Sequence, residues 1–455
     1  MAKVIVLGGG PAGYVAALRA AQLGAAVTVV EGREIGGTCL NRGCIPTKSM
    51  VASAERLRQA RESAGFGVVV PEAGIDFAAV MAHARASSEQ LRGGVEQLLK
   101  ARKVEVAPSR GRLVTPRVVE YGAEHHVEGD AVIVATGSEP VRLPFLPDDP
   151  RIVTSDELLR IEELPQRLAI IGGGVIGCEF AAVFAELGSQ VTVVELLDQL
   201  LPGEDKRVGQ SLQRAFKKRG IAAHVKTKVE AVDADQTGVT LRLAGGATVE
   251  ADLVLQSVGR RPVSAGAGLE NVGVGIDEHG FIEVDETART TVDGIFAAGD
   301  AAGVPMLAHW AYHQGAIAAE NAVTGSRLEV DRRVVPNCVF THPEVATCGL
   351  TEDRAAARGV EIEVAHVRFN GNSKAVVEEE NDGFIRIVTD AGSGVVLGAS
   401  MMGPRVTELI HEIALAASAG LTLDAVWRTI HAHPTLSEAV GEAALSAAGR
   451  GMHSL

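Results

Sequence analysis

The chain carries one strand–turn–helix–strand unit twice, and this repeat restricts its possible folds more than any other feature. Residues 3–31 run from the apolar stretch Val4-Ile5-Val6-Leu7 through Gly8-Gly9-Gly10-Pro11-Ala12-Gly13 into an apolar helical segment ending at Leu23. A second strand, Val27-Thr28-Val29-Val30, then leads to Glu31. Residues 168–195 return the pattern: Leu168-Ala169-Ile170-Ile171, Gly172-Gly173-Gly174-Val175-Ile176-Gly177, a helix to Leu187, then Val191-Thr192-Val193-Val194-Glu195. Gly8 and Gly172 permit a tight turn, Gly10 and Gly174 let a pyrophosphate approach the backbone, and Gly13 and Gly177 let helix and strand pack closely. Glu31 and Glu195 stand where an acid accepts a ribose hydroxyl. A lone GxGxxG is weak evidence, but here the interval from first glycine to terminal acid is the same in both copies. Two bound dinucleotides are expected, and a decayed second copy is disfavoured because every mechanistic glycine and both acids recur.

The stretch Gly36-Gly37-Thr38-Cys39-Leu40-Asn41-Arg42-Gly43-Cys44-Ile45-Pro46-Thr47-Lys48 follows the first unit directly. Pro46 suits a first helical turn, so Cys44 is predicted near a helix N-terminus, whose unpaired N–H groups and partial positive charge favour a thiolate. The pair reads as a catalytic redox disulfide. A zinc site would require a second closely spaced pair of ligands, which the sequence lacks, so no metal is predicted. Cys178, Cys338 and Cys348 read as small buried residues.

A ligand on the first unit must bring a redox centre to these sulfurs, which points to a flavin. In the second unit Glu195 favours a free 2′-hydroxyl, and Leu196-Leu197-Asp198 offers no arginine for a 2′-phosphate. NAD is therefore expected rather than NADP.

Length and composition agree with an enzyme of several domains. At about 100–200 residues per domain, 455 residues imply three or four. The proportions of apolar residues, 46%, and charged residues, 22%, are those of a soluble globular chain. A formal charge of −14 argues against nucleic acid and against anionic membranes. Neither a signal peptide nor an apolar run of the ~20 residues that span a bilayer is apparent, so a cytoplasmic location is expected.

Residues 76–103 read as a long helix, 104–135 as short strands, and Pro140, Pro144, Pro147 and Pro150 as a linker. The segment Gly294-Ile295-Phe296-Ala297-Ala298-Gly299-Asp300 ends an apolar strand on an acid able to hold a polyol hydroxyl, although Gly-Asp is also a common turn. From Val335 strand-like runs (363–369, 384–389, 395–401) precede helical ones (404–419, 422–430, 435–448), an α+β pattern. Within it, His433 and Glu438 of His431-Ala432-His433-Pro434-Thr435-Leu436-Ser437-Glu438 suggest an imidazole base oriented by a carboxylate, though Glu438 also suits a helix cap.

Seven motifs in fixed order make the chain similar to the flavin-dependent pyridine-nucleotide disulfide oxidoreductases over nearly its whole length. They are GGGPAG at 8–13, GGTCLNRGCIPTK at 36–48, ATGS at 135–138, GGGVIG at 172–177, GIFAAGD at 294–300, MLAH at 306–309 and HAHPTLSE at 431–438. The resemblance implies an α/β fold with two Rossmann-like dinucleotide-binding domains, for FAD (1–147) and NAD (148–270). A central segment (271–335) returns to the FAD domain, and a C-terminal α+β dimerisation domain (336–455) follows.

The same resemblance implies that Cys44 faces the flavin and Cys39 exchanges with substrate. Lys48 would pair with Glu179 beside the flavin ring, and Asp300 would hold its ribityl chain. Gly37, Thr38, Gly111, Ala135, Thr136, Gly137 and Ala308 would complete the FAD site, and Gly259 and Val229 would contact NAD. His433 and Glu438 would reach the cysteines from the other subunit of a homodimer. The implied reaction oxidises a dihydrolipoyl dithiol carried by a lipoyl-bearing E2 or H-protein component.

A glutathione-type reductase is disfavoured by Glu195, a mercuric reductase by the absence of a C-terminal cysteine pair, and a non-catalytic flavoprotein by the intact cysteines. Three departures from the pattern stand out: Ser257 for the usual Ala, Cys348 for an aliphatic residue, and Trp310-Ala311-Tyr312-His313 in place of charged residues. The sequence assigns no role to that last run.

Overall fold

The computed structural model describes residues 1–236, 238–447 and 449–452. Residues 453–455, the end of the C-terminal stretch without a cysteine pair, lie outside them.

Each repeated unit builds a five-stranded parallel sheet. In the first, the order is Ile295–Ala297, Ala131–Val134, Lys3–Leu7, Ala26–Val30, Glu105–Ala107, with Lys3 opposite Ala26 and Leu7 opposite Val30. In the second it is Ala222–His224, Gln190–Val194, Arg167–Ile171, Leu253–Gln256, Ile152–Val153. Strands such as Val4-Ile5-Val6-Leu7 are apolar at successive positions because parallel strands are covered on both faces. Each sheet also has a three-stranded antiparallel meander, Gly111–Thr115 to His125–Glu128 in one copy and Val229–Ala234 to Thr248–Ala251 in the other. The duplication thus extends beyond the glycine turns.

The long helix expected over 76–103 spans Phe77–Ala101, its first turn capped by the Asp76 carboxylate accepting from the Ala79 amide at 3.0 Å. The C-terminal region is a five-stranded antiparallel sheet covered by helices Val406–Ser418, Leu423–Arg428 and Glu438–Ala447. Two of its strands, Asn337–Val339 and Glu344–Gly349, were not anticipated. The first has only three residues, and Pro336 and Pro343 interrupt the apolar pattern before each.

One apolar cluster ties the three regions together. Met50 and Leu57, from helix Cys44–Glu62, pack with Phe180 and Phe184 of helix Val175–Leu187 and with Val339, Val345 and Met402 of the C-terminal sheet. The helix that begins at Cys44 is therefore clamped between the second nucleotide unit and the C-terminal sheet, which fixes where its first residue points.

Candidate active site

The two cysteines occupy different helices. Gly36 and Gly37 adopt φ of 91° and 57°, and helix Gly37–Arg42, which carries Cys39, ends at Gly43. Cys44 then opens helix Cys44–Glu62, with Pro46 in its first turn as predicted. A methyl group on Gly37 would lie 2.6 Å from the Gly10 Cα, so glycine-on-glycine contact seats the cysteine turn directly on the first nucleotide turn.

Both cysteines are free thiols and hydrogen-bond each other. The hydrogen bond from Cys39 holds Cys44 down at about 7, helped by Lys48 and a backbone amide against burial and Glu179. The same contact, together with burial, pushes Cys39 up. One proton therefore serves the pair and resides on Cys39, leaving Cys44 as the thiolate.

Lys48 lies one turn beyond Cys44, on the same face. Its Nζ donates to both carboxylate oxygens of Glu179 at 2.8 Å and lies 4.6 Å from the centre of the Phe340 ring. Burial alone would lower the Lys48 pKa, but Glu179 more than offsets it and the amine is raised. Glu179, itself buried, also accepts from the Phe340 amide at 3.0 Å, so this pair joins all three regions. Phe340 carries no motif of its own, and the fold alone brings its partner near.

The nucleotide turns repeat in atomic detail. Gly8 and Gly172 have φ of 102° and 108°. Methyl groups on Gly13 and Gly177 would fall 1.8 and 2.0 Å from the carbonyl oxygens of Gly8 and Gly172. In contrast, a methyl on Gly10 would meet only the Gly37 Cα, at 3.8 Å, and one on Gly174 nothing within 4 Å. This is backbone left open for a ligand. Glu31 accepts from the Gly9 and Arg33 amides at 2.6 Å each, and Glu195 from the Gly173 and Leu197 amides at 2.6 and 2.7 Å. Each carboxylate is thus locked in place with lone pairs to spare for a hydroxyl.

Thr136 follows Ala135, whose carbonyl backs Gly8, and its buried hydroxyl has no protein partner. An orphaned donor beside an open glycine turn fits a dinucleotide on the first unit. Gly137 has φ of 76° and accepts from the Val263 amide at 2.9 Å. Asp300 accepts from the Ser138 hydroxyl, which in turn accepts from Arg260 Nε at 2.7 Å.

Ala308 begins helix Ala308–Thr324, and Thr38 sits in the cysteine helix. Gly111 lies against Val30 and Leu7, with no room for a side chain. On the second unit Gly259 has φ of 118° and faces open space, while Val229 starts a strand two residues past Thr227, whose amide donates to the Glu195 carbonyl at 2.9 Å. Ser257 is accommodated by donating to the Gly172 carbonyl at 3.1 Å. Cys178 and Cys348 are buried as expected, whereas Cys338 is only partly so.

His433 Nδ1 lies 2.9 Å from Glu438 Oε1, and Glu438 Oε2 accepts from the Thr435 amide at 2.8 Å. Glu438 is thus both helix cap and imidazole partner. Against the upward pull of its modest burial, the Thr435 amide and the His433 ring hold its carboxyl below the usual value. Because a carboxylate only accepts, Nδ1 carries the proton and Nε2 is left to act as base. Within one chain no hydrogen bond or ion pair among the described residues joins this pair to Cys39, Cys44 or Lys48. Among those residues no cluster of three or more His, Cys, Asp or Glu is placed to hold a metal, and no helix is long and apolar enough to cross a membrane.

A hydrogen-bonded cysteine pair seated on the first of two matching glycine turns, with a lysine–glutamate pair behind it, defines a class of redox protein. The chain belongs to the pyridine nucleotide-disulphide oxidoreductase family, whose model matches residues 2–315, while the dimerisation domain of that family matches 335–444. Within the family it is 41% identical over 476 residues to a dihydrolipoyl dehydrogenase of Bacillus subtilis, covering 99% of this chain and 98% of that one. It is also 39% identical over 462 residues to the mitochondrial dihydrolipoyl dehydrogenase of Pisum sativum, covering 99% and 92%. Among solved structures it superposes on LpdA of Mycobacterium tuberculosis with a TM-score of 0.92 at 32% identity, covering 98% and 99% of the two chains. The HOCl-induced flavoprotein disulfide reductase RclA of Escherichia coli gives 0.88 at 27%, covering 97% and 99%.

Proposed function

We propose that this chain, as a cytoplasmic homodimer, oxidises dihydrolipoyl groups on a lipoyl-bearing E2 or H-protein component and reduces NAD. The observation that carries this reading is the Cys39–Cys44 pair, one thiol a ready thiolate and the other the proton holder, seated on the first nucleotide turn. Residues 1–147 with 271–335 form the FAD domain in this reading, 148–270 the NAD domain and 336–455 the dimerisation domain.

FAD would be held by Gly8, Gly10, Gly13, Glu31, Gly37, Thr38, Lys48, Gly111, Ala135, Thr136, Gly137, Asp300 and Ala308, and NAD by Gly172, Gly174, Gly177, Glu179, Glu195, Val229 and Gly259. When bound, FAD supplies a two-electron carrier between the dithiol and NAD, which supplies the hydride acceptor. The chain's own residues perform the thiol chemistry. His433 Nε2, from the partner subunit, takes a proton from a dihydrolipoyl thiol, and the resulting thiolate attacks the Cys39 sulfur of the disulfide. The S–S bond breaks and Cys44 leaves as the thiolate, stabilised by Lys48 and its helix N-terminus. The second substrate sulfur then attacks the first, the bond to Cys39 breaks, and Cys39 leaves with the electron pair and takes a proton. The substrate has lost two electrons and the enzyme disulfide has gained them.

A steady-state comparison tests the assignment. Turnover of dihydrolipoamide with NAD should far exceed that of glutathione disulfide with NADPH, because Glu195 repels a 2′-phosphate. Preference for the second pair would overturn it.

A further inference from the structure

The thiol exchange described above makes no use of Tyr14 or Tyr312, yet three helices converge to bring their phenols to Cys39. Gly37 rests on Gly10, placing the cysteine helix over the start of helix Pro11–Gln22. Gly315 rests on the same helix two residues further on, where a methyl group would lie 2.3 Å from the Ala12 carbonyl oxygen. This contact sets Tyr312, one turn before Gly315, beside Tyr14, with ring centroids 5.8 Å apart and planes tilted by 58°. The Tyr312 side chain in turn interacts with both the Cys39 sulfur and the Tyr14 hydroxyl. Burial first, and then Tyr14, push the Tyr312 phenol up, so it keeps its proton at any working pH and acts toward sulfur as a donor. A hydrogen bond to an anion is stronger than one to its neutral form, so a donor at this place favours Cys39 carrying charge.

We infer that Tyr312 is a catalytic residue of the exchange half-reaction, its hydroxyl donating to the Cys39 sulfur as that sulfur leaves the mixed disulfide, with Tyr14 a positioning residue that holds the phenol. The inference rests on the dithiol exchange proposed above. Its place is the second displacement: the substrate's two sulfurs join, the bond from substrate to Cys39 breaks, and the electron pair goes to Cys39. Tyr312 stabilises that charge until a proton arrives. The first displacement, in which Cys44 leaves, does not need it, since Lys48 and the helix N-terminus already serve Cys44. Each sulfur of the pair thus has its own stabilising group.

The test is the pH dependence of iodoacetamide alkylation at Cys39 in the dithiol-reduced holoenzyme, mapped by peptide mass, alongside steady-state turnover of dihydrolipoamide with NAD. In Tyr312→Phe the alkylation profile of Cys39 should move to higher pH, with a loss of rate at neutral pH of roughly threefold to tenfold, and kcat should fall by a similar factor. Tyr14→Phe should move the profile in the same direction by less. It also keeps the question answerable if loss of the 312 hydroxyl were to cost the fold. A Tyr312→Phe profile superimposed on wild type overturns the inference, as does a Tyr14→Phe displacement larger than that of Tyr312→Phe. If wild type fails to turn over dihydrolipoamide, the proposed substrate falls, and the alkylation profiles still decide the role of Tyr312.

Discussion

At Cys44 three separate influences act on one sulfur: the hydrogen bond from Cys39, the amine of Lys48 one turn on, and the amides of a helix start. Replacing Lys48 with Met removes a cation, so the Cys44 pKa should rise above about 7, and the thiolate present at neutral pH should decrease. Thiolate ultraviolet absorbance of the reduced protein against pH reads this directly, and an unmoved profile would assign the thiolate to the helix and Cys39 alone. At His433, substitution by Gln keeps a side chain of similar reach but removes the base, so dihydrolipoamide oxidation should fall roughly a hundredfold or more, with a much smaller effect on NADH-to-dye transfer. Equal loss of both would count against the role. The sequence disclosed those residues whose partners lie nearby along the chain: the cysteine pair, the two terminal acids, and His433 with Glu438. For Glu438 it left two readings, cap or imidazole partner, and the two carboxylate oxygens perform one each. Tyr312 and Phe340 were not legible, because what gives each a role, Cys39 in one case and the Lys48–Glu179 pair in the other, lies far away in sequence and arrives only through helix packing.

At the level of elements, the two glycine turns separate residues that make the fold from residues that admit a ligand. Gly13→Ala would gain about 1 kcal/mol of helix propensity, but its methyl group would sit 1.8 Å from a backbone oxygen that cannot step aside. The clash should dominate, with a net loss of about 2 kcal/mol or more, seen as a lower thermal midpoint or as insoluble protein. Gly10→Ala meets nothing closer than 3.8 Å, so the flavin-free protein should melt as wild type does while FAD is released more readily. The matching change in the second turn, Gly174→Ala, should raise KM for NAD and leave FAD content intact. If Gly10→Ala destabilised the protein as much as Gly13→Ala, this division would be wrong. These turns were legible because a positive φ and a close approach each demand glycine at a fixed spacing. The strands Asn337–Val339 and Glu344–Gly349 were not, because both follow prolines, the first has only three residues, and each depends on its sheet neighbours, the second on Val396–Gly403.

In the whole molecule the three regions meet around His342, where burial together with Arg219, Arg58 and Arg405 holds the imidazole down at about 2. The native chain therefore stays unprotonated there while the unfolded chain takes a proton near its ordinary value of about 6.5. Stability is complete above that value and declines as pH falls below it, by at most about 1.4 kcal/mol per pH unit; urea midpoints against pH should flatten in His342→Gln. A further consequence concerns the assembly. The His433 side chain is 69% exposed in the single chain, Ile430 close by is 96% exposed, and both lie within the stretch that matches the dimerisation domain. A base so exposed within its own chain, beside a large apolar side chain equally bare, suits a site completed across a two-fold interface. Such a site can be divided between two inactive proteins. A Cys44→Ser chain retains the base and loses the disulfide, while a His433→Gln chain retains the disulfide and loses the base. After subunit exchange half of the dimers are mixed, and each mixed dimer holds one intact site and one doubly broken site, so dihydrolipoamide oxidation should recover to about a quarter of wild type. If the base acts within its own chain, no arrangement of these subunits contains an intact site and the mixture stays as inactive as its parents.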